Sequence, residues 1–394
     1  MQSCKFLSAL VVLSALSAPL YSNAQALYTV SHLADNFTPT DINNAGQISG
    51  YLLDANREQQ AALYSGGVLS NLGIFGGGGS YGNAINDAGV ITGLTYTQSG
   101  SYHAFVYDHG NVLDLGSGTD AQGINANGDV VGRKSHFDGT FTSFVYSKGT
   151  LTELGNLGTG IDGMAYDINE KGEIVGASTI NNPERHASYH PYLYSKGTLQ
   201  DLGTIAGFEF NGAAAINNAG RIAGYGEAQV GMHAFVYEHG VFKDVGGFGG
   251  QFLDVGGINE HGAFVGTSWT PEDNIGFIYL DDVLVDLNTL IDPALGWHID
   301  GAYGINDAGQ IAATGCRDFV CSAVRLDLVN AVPEPVGALL LLPGLLAVAG
   351  VRRRQQRSAQ PAPRSHALGT QHLAPSTHAP LSRRNPLCLF APIL

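Results

Sequence analysis

The chain has 394 residues, with 54 glycines, 4 cysteines and a formal net charge of −15. Between residues 27 and 332 the balance is 11 Lys+Arg against 33 Asp+Glu, a net of −22. Such a field repels phosphate backbones, which excludes nucleic acid as a partner and favours cations or basic surfaces.

Residues 1–26 read as a secretory signal peptide. Lys5 precedes an apolar run from Phe6 through Leu20, and Ala24-Gln25-Ala26 supplies the A-x-A cleavage signature, with cleavage expected after Ala26. Cys4 lies before the apolar core and leaves with the signal.

From Leu27 onward one pattern keeps returning. Ala84-Ile85-Asn86-Asp87-Ala88-Gly89-Val90-Ile91-Thr92-Gly93 is one copy of I-N-x-x-G-x-aliphatic-x-G, and its asparagine recurs at Asn43, Asn86, Asn125, Asn169, Asn217, Asn259 and Asn306. The spacings are 43, 39, 44, 48, 42 and 47 residues, a period that belongs to repeat architectures. Each unit reads as four short strands. A small apolar strand ends in Ile-Asn (Ala213–Asn217) and turns at a glycine into a second strand (Glu173–Gly176). A variable loop leads to a third strand, as in His103–Tyr107 and His233–Tyr237, and a further glycine turn feeds a fourth, Val112–Gly116. β-Branched and aromatic runs between glycine turns are hairpin signals, and no 3.6-residue period is sustained anywhere in the repeat.

Four-stranded units of this length match the blades of a β-propeller. The Ile-Asn strand occurs seven times, but the fourth strand follows it only six times: Val68–Gly73, Val112–Gly116, Leu151–Gly155, Leu199–Gly203, Phe242–Gly246 and Leu284–Asn288. A seventh copy, Tyr28–Leu33, stands ahead of the first repeat. The expected fold is therefore an all-β, seven-bladed propeller over residues 27–330, with four-stranded antiparallel blades and a ring closed by the N-terminal strand, which removes an exposed sheet edge.

Cys316 and Cys321 bracket four residues in the last unit, and an oxidising compartment permits a disulfide across that hairpin; two buried thiols are the alternative. Cys388 has no evident partner. Composition changes at Ala331. Pro333-Glu334-Pro335 introduces an apolar segment, Val336–Val351, broken by Pro343-Gly344, and Arg352-Arg353-Arg354 follows. The segment reads as a short apolar helix and a weak membrane anchor, with a basic stop of the positive-inside kind. Residues 358–394, rich in Pro, Ala, His and Arg, read as a disordered tail.

Two resemblances extend this reading. The order of parts in residues 331–357 (Pro333-Glu334-Pro335, apolar helix, Arg352-Arg353-Arg354) resembles the PEP-CTERM sorting signal of exopolysaccharide-producing Gram-negative bacteria. The repeats, with His-Ala-Phe at 103–105 and 233–235, resemble the HAF-repeat family of extracellular proteins across nearly all of residues 27–329. Together they imply export, transient anchoring in the inner membrane, processing by an exosortase and release to the cell surface or a biofilm matrix. Exopolysaccharide or a surface protein is the implied partner.

Candidate chemistry is sparse. A ring of seven asparagine amides could hold a sugar or an ion, but an asparagine before a glycine turn also serves as a turn former that hydrogen-bonds the backbone. His103, His190 and His233 begin the third strand; Gln60, Thr142 and Ile275 replace them in other units, so no metal is required there. Tyr64, Tyr107, Tyr146, Tyr194, Tyr237 and Tyr279 end that strand and read as packing residues, with a sugar platform as the alternative. Asp281 and Asp282 offer carboxylates to Ca²⁺ without the loop that a calcium hand supplies. The glycine runs 76–79 and 246–250 are loops. No G-x-S-x-G, H-E-x-x-H or Cys–His arrangement appears. The reading is a non-catalytic binding or scaffold propeller without cofactor. The alternatives are a glycan-acting enzyme using acids brought together from different blades, or a purely structural repeat.

Overall fold

The computed structural model describes residues 27–73, 75–180, 188–208 and 211–329. They form seven four-stranded antiparallel sheets arranged as the blades of a propeller. The first six blades use consecutive strands. Blade seven is composite: His298–Ile305, Ile311–Arg317 and Val320–Leu328 are completed by Tyr28–Ala34, which pairs with Val320–Leu328 as the outermost strand. The ring is thus closed by its N-terminal strand, and Tyr28, only 2% exposed, is buried in the blade-seven core with Ile291, Val324 and Leu326.

The repeated motif explains the blade. Its Ile residues, such as Ile85 and Ile91, are buried. Its last glycine is demanded by close approach: a Cβ on Gly93 or Gly132 would stand 1.9 Å from the carbonyl oxygen of Tyr81 or Asp120 on the first strand. A register shift in the first strand accompanies that approach in the six blades that carry the glycine, for example between Gly82 and Ala84 and between Ala121 and Gly123, while blade seven has the small Ala313 at this position. An aromatic ring on the third strand then covers the glycine, since Gly93, Gly132, Gly224 and Gly266 pair directly with Phe105, Phe144, Phe235 and Phe277, all fully buried. Such aromatic cover supplies packing that a strand glycine lacks. The turns between third and fourth strands take left-handed residues, including His109-Gly110 and Lys148-Gly149, the dihedrals of tight hairpin turns.

Apolar clusters lie between adjacent blades, as where Ala84 and Ala104 of blade two meet Ala121, Val130 and Phe144 of blade three. The first strand of each blade is innermost, so the turns after it gather round one end of the axis. The loops after the second strand and the connections between blades gather at the other end. Two short 3-10 turns, Leu287–Thr289 and Pro293–Leu295, lie in the connection into blade seven.

Candidate functional site

The seven motif asparagines are buried in one closed ring. Each Nδ2 donates to the main-chain carbonyl of the next motif asparagine: Asn43 to Asn86, Asn86 to Asn125, Asn125 to Asn169, Asn169 to Asn217, Asn217 to Asn259, Asn259 to Asn306, and Asn306 back to Asn43, at 2.9–3.2 Å. Each Oδ1 accepts the N–H four residues on, for example that of Gln47, Val90 or Arg221. The amides are therefore consumed by the fold and are not a ligand ring. A second, exposed circuit lies outside it. The N–H of the residue after each asparagine meets the side-chain oxygen of its counterpart one blade on, linking Asn44 to Asp87, Ala126 to Glu170, Glu170 to Asn218, Asn218 to Glu260, Glu260 to Asp307 and Asp307 to Asn44. Only the step from Asp87 lacks its acceptor, because Ala126 has no side-chain oxygen.

Asp41 and Asp167 brace the same end. Asp41 accepts the N–H groups of Ile42 and, in the next blade, Ile85; Asp167 does so with Ile168 and Ile216. Desolvation outweighs these hydrogen bonds and pushes the Asp41 carboxyl up to about 7.

The axis holds a polar channel of about 330 Å³. It is lined by a residue from each innermost strand, Thr40, Asn83, Gln122, Tyr166, Ala214, Gly256 and Tyr303, joined by Tyr225, Asp254 and Val255. Much of this lining is already engaged, as in Thr40 Oγ1 to the Gly82 carbonyl at 2.6 Å and Asn83 Nδ2 to the Ala121 carbonyl at 2.7 Å.

Tyr225 and Asp254 also line a larger pocket of about 780 Å³ between blades five and six, at the end away from the asparagine ring, with Glu227, Gly231, Met232, Gln251, Phe252, Leu253 and Trp269. The sequence builds it in three steps. The glycine run 246–250 lets the inter-blade connection fold back, and the Met232 N–H holds the Gly250 carbonyl at 2.9 Å. Alternation over residues 252–255 then buries Leu253 and Val255 and leaves Phe252 and Asp254 on the open side. Trp269 is the direct cross-strand partner of Phe252. Phe252 is 68% exposed and Trp269 40%, a solvent-facing aromatic pair beside two carboxylates. Solvent reaches Asp254 inside the pocket, yet protein encloses it on most sides, and that desolvation pushes its carboxyl up to about 6.

The remaining sequence candidates have structural partners. His103, His190 and His233 pair through Nδ1 with Asp114, Asp201 and Asp244 of the adjoining strand at 2.9–3.1 Å. Asp282 is held by Lys243 at 2.8 Å and by the Tyr279 hydroxyl at 2.7 Å. Phe105 and Tyr107 lie in one core cluster. Cys316 and Cys321 are directly opposed in their hairpin and joined by a disulfide. Asp273 and Asp300 carboxylate oxygens lie 3.2 and 3.6 Å from His298 Nε2. The processing residues Ala24, Ala26, Pro333, Glu334, Pro335, Arg352, Arg353 and Arg354, the apolar segment and the tail fall outside the described residues. Among the described residues no helix is long and apolar enough to cross a membrane.

No protein-family model and no curated protein matches the sequence. Solved structures match the fold. An acylaminoacyl peptidase from Pyrococcus horikoshii aligns with 78% of this chain and 54% of its own at 13% identity and a TM-score of 0.50. The β-propeller domain of the Trilobed protease from Pyrococcus furiosus aligns with 77% of this chain and 99% of its own at 11% identity and a TM-score of 0.48. The lectin SapL1, solved with α-methyl fucoside, aligns with 65% of this chain and 96% of its own at 13% identity and a TM-score of 0.43. At such identities the likeness is one of fold.

Proposed function

We propose that this chain is an exported, non-catalytic glycan-binding propeller that acts at the cell surface or in an extracellular matrix after an exosortase trims its C-terminal segment. The observation that carries the binding reading is the pocket between blades five and six. An exposed aromatic pair, Phe252 and Trp269, stands over a concave site with Glu227, Gln251 and Asp254 at hand. Aromatic faces with a few polar groups are what a sugar ring, apolar on its faces and hydroxylated at its edges, requires. Export is supported by the signal-like N-terminus and by a disulfide within the propeller, a bond that persists in oxidising compartments.

One feature favours a second reading, a glycan-cleaving enzyme: Asp254 is raised toward neutrality in the same pocket as Glu227, as a general acid beside a second carboxylate would be. A glycan array probed with the wild type and with Trp269→Ala, followed by mass spectrometry of the bound sugars, separates the two. Binding that Trp269→Ala abolishes, with sugars recovered intact, supports the binding protein; cleaved products support the enzyme; unchanged binding in the variant removes the pocket from the account. Mature termini at Leu27 and close to Pro333, measured on protein recovered from the producing cell's medium, check the processing. A mature protein that retains the segment after Pro335 refutes it.

A further inference from the structure

We propose, resting on the reading of this pocket as a glycan site, that its ligand is a cationic amino-sugar residue, with the ammonium group held by Asp254 and Glu227 and the ring laid against Phe252 and Trp269. The nine residues that line the pocket include these two acids and no Lys, Arg or His, and the channel beneath it has no basic residue either. Five other acids pair with a basic side chain, Asp120 with Arg133, Asp282 with Lys243, and Asp114, Asp201 and Asp244 with histidines, and the buried Asp41 and Asp167 are instead held by main-chain N–H groups. Among the described residues none of opposite charge stands within ion-pair distance of Asp254. Asp254 stands in a concavity open to solvent and has no counter-charge, so a cationic ligand brings it an ion pair that the protein does not supply.

The alternatives fit less well. A uronate would set its own carboxylate beside Asp254, inside a propeller whose net charge is already −22 across residues 27–332. A neutral sugar would return hydroxyl hydrogen bonds to Asp254 but no counter-charge. A hard metal cation calls for a shell of oxygen ligands, whereas half of this wall is Phe252, Trp269, Met232 and Leu253. Ammonium groups, by contrast, are drawn to aromatic faces as well as to carboxylates. A lysine side chain shares that chemistry, but its slim stem leaves most of a pocket of about 780 Å³ empty.

The test is calorimetric titration of the full chain with four probes of equal length: a glucosamine tetramer, an N-acetylglucosamine tetramer, a mannuronate tetramer and tetralysine. The glucosamine tetramer is expected to bind best, with Asp254→Asn weakening it about tenfold, the usual order for loss of one charged contact. Glu227→Gln, on an exposed side chain at the rim, carries the same comparison in case Asp254→Asn does not fold, and circular dichroism checks both. Affinity for the glucosamine tetramer should also fall as pH drops through about 6, where Asp254 protonates. The other titratable groups lining the site are Glu227, Tyr225 and, in the adjoining channel, Tyr166 and Tyr303. Equal or tighter binding of the acetylated or uronate tetramer overturns the charge assignment and leaves the glycan site standing. Failure of every sugar overturns both. Tetralysine binding as tightly as the amino sugar overturns the proposal in favour of a basic peptide.

Discussion

Truncating one motif asparagine tests whether the amide ring holds the propeller together. In Asn217→Ala the N–H groups of Ala219 and Arg221 lose their acceptor and the Asn259 carbonyl loses the Nδ2 donor. Asn217 is buried, so water replaces little of this. At about 1–3 kcal/mol for each polar group left unpaired, discounted for partial wetting of the turn, the expected loss is about 3–5 kcal/mol. Asn217→Asp is the sharper probe. It keeps both acceptors but turns the donor that faces the Asn259 carbonyl into a second acceptor, so a ring function predicts a loss of similar size at neutral pH that shrinks as the new carboxyl protonates. A residue that only formed its own turn would accept aspartate at little cost. Urea unfolding at pH 5 and pH 8 reads both variants, with the half-buried Asn218→Ala as the control, expected to lose less than about 1 kcal/mol. Asn217→Asp matching the wild type at pH 8 would refute the ring argument.

Three further outcomes follow from the same geometry. Deleting residues 27–35 strips the partner from Val320–Leu328 and exposes a sheet edge and the Tyr28 pocket, so light scattering should show aggregation at temperatures where the wild type stays monodisperse; equal melting and scattering would contradict closure by this strand. Ala126→Asn supplies the missing acceptor for the Asp87 N–H, as Asn44 and Asn218 do elsewhere in the exposed circuit, and should stabilise by about 1 kcal/mol in urea. Asp41 is raised from 3.8 to about 7 in the folded protein, so its contribution is fully present below about pH 4 and is lost as pH rises through about 7. Stability should therefore fall between pH 5 and pH 8, and the fall should be smaller in Asp41→Asn; identical pH dependence in the two would show that burial does not perturb this carboxyl.

The seven-blade count and the closing strand were legible because the motif repeats are countable and because six fourth strands for seven first strands leave one to be supplied from Tyr28–Leu33. The turn role of the asparagines was also legible, from the Asn-x-x-Gly spacing. Their inter-blade bonds were not. A hydrogen bond between residues 39 to 48 positions apart leaves no local pattern, since the carbonyl that accepts it belongs to whatever residue occupies that place. The pocket was missed for the opposite reason: it depends on residues that break the repeat. Ten residues after each motif asparagine stand Leu53, Tyr96, Ser135, Thr179, Glu227, Trp269 and Cys316, and only tertiary structure sets the sixth of these against Phe252 and beside the fifth.

This contrast between the two ends of the molecule bears on where function sits. At the asparagine end, every blade spends its invariant residues on bonds to the next, the exposed circuit is complete but for Ala126, and a change in any one blade disturbs its neighbour. Such an end has little room to acquire a ligand. At the opposite end the repeat constrains almost nothing, so a glycine-rich connection, one tryptophan and one unpaired carboxylate accumulate between blades five and six without cost to ring closure. The ring holds the scaffold rigid, and a rigid scaffold is what lets a pocket made of variable residues keep its shape when empty, which lowers the ordering cost of binding.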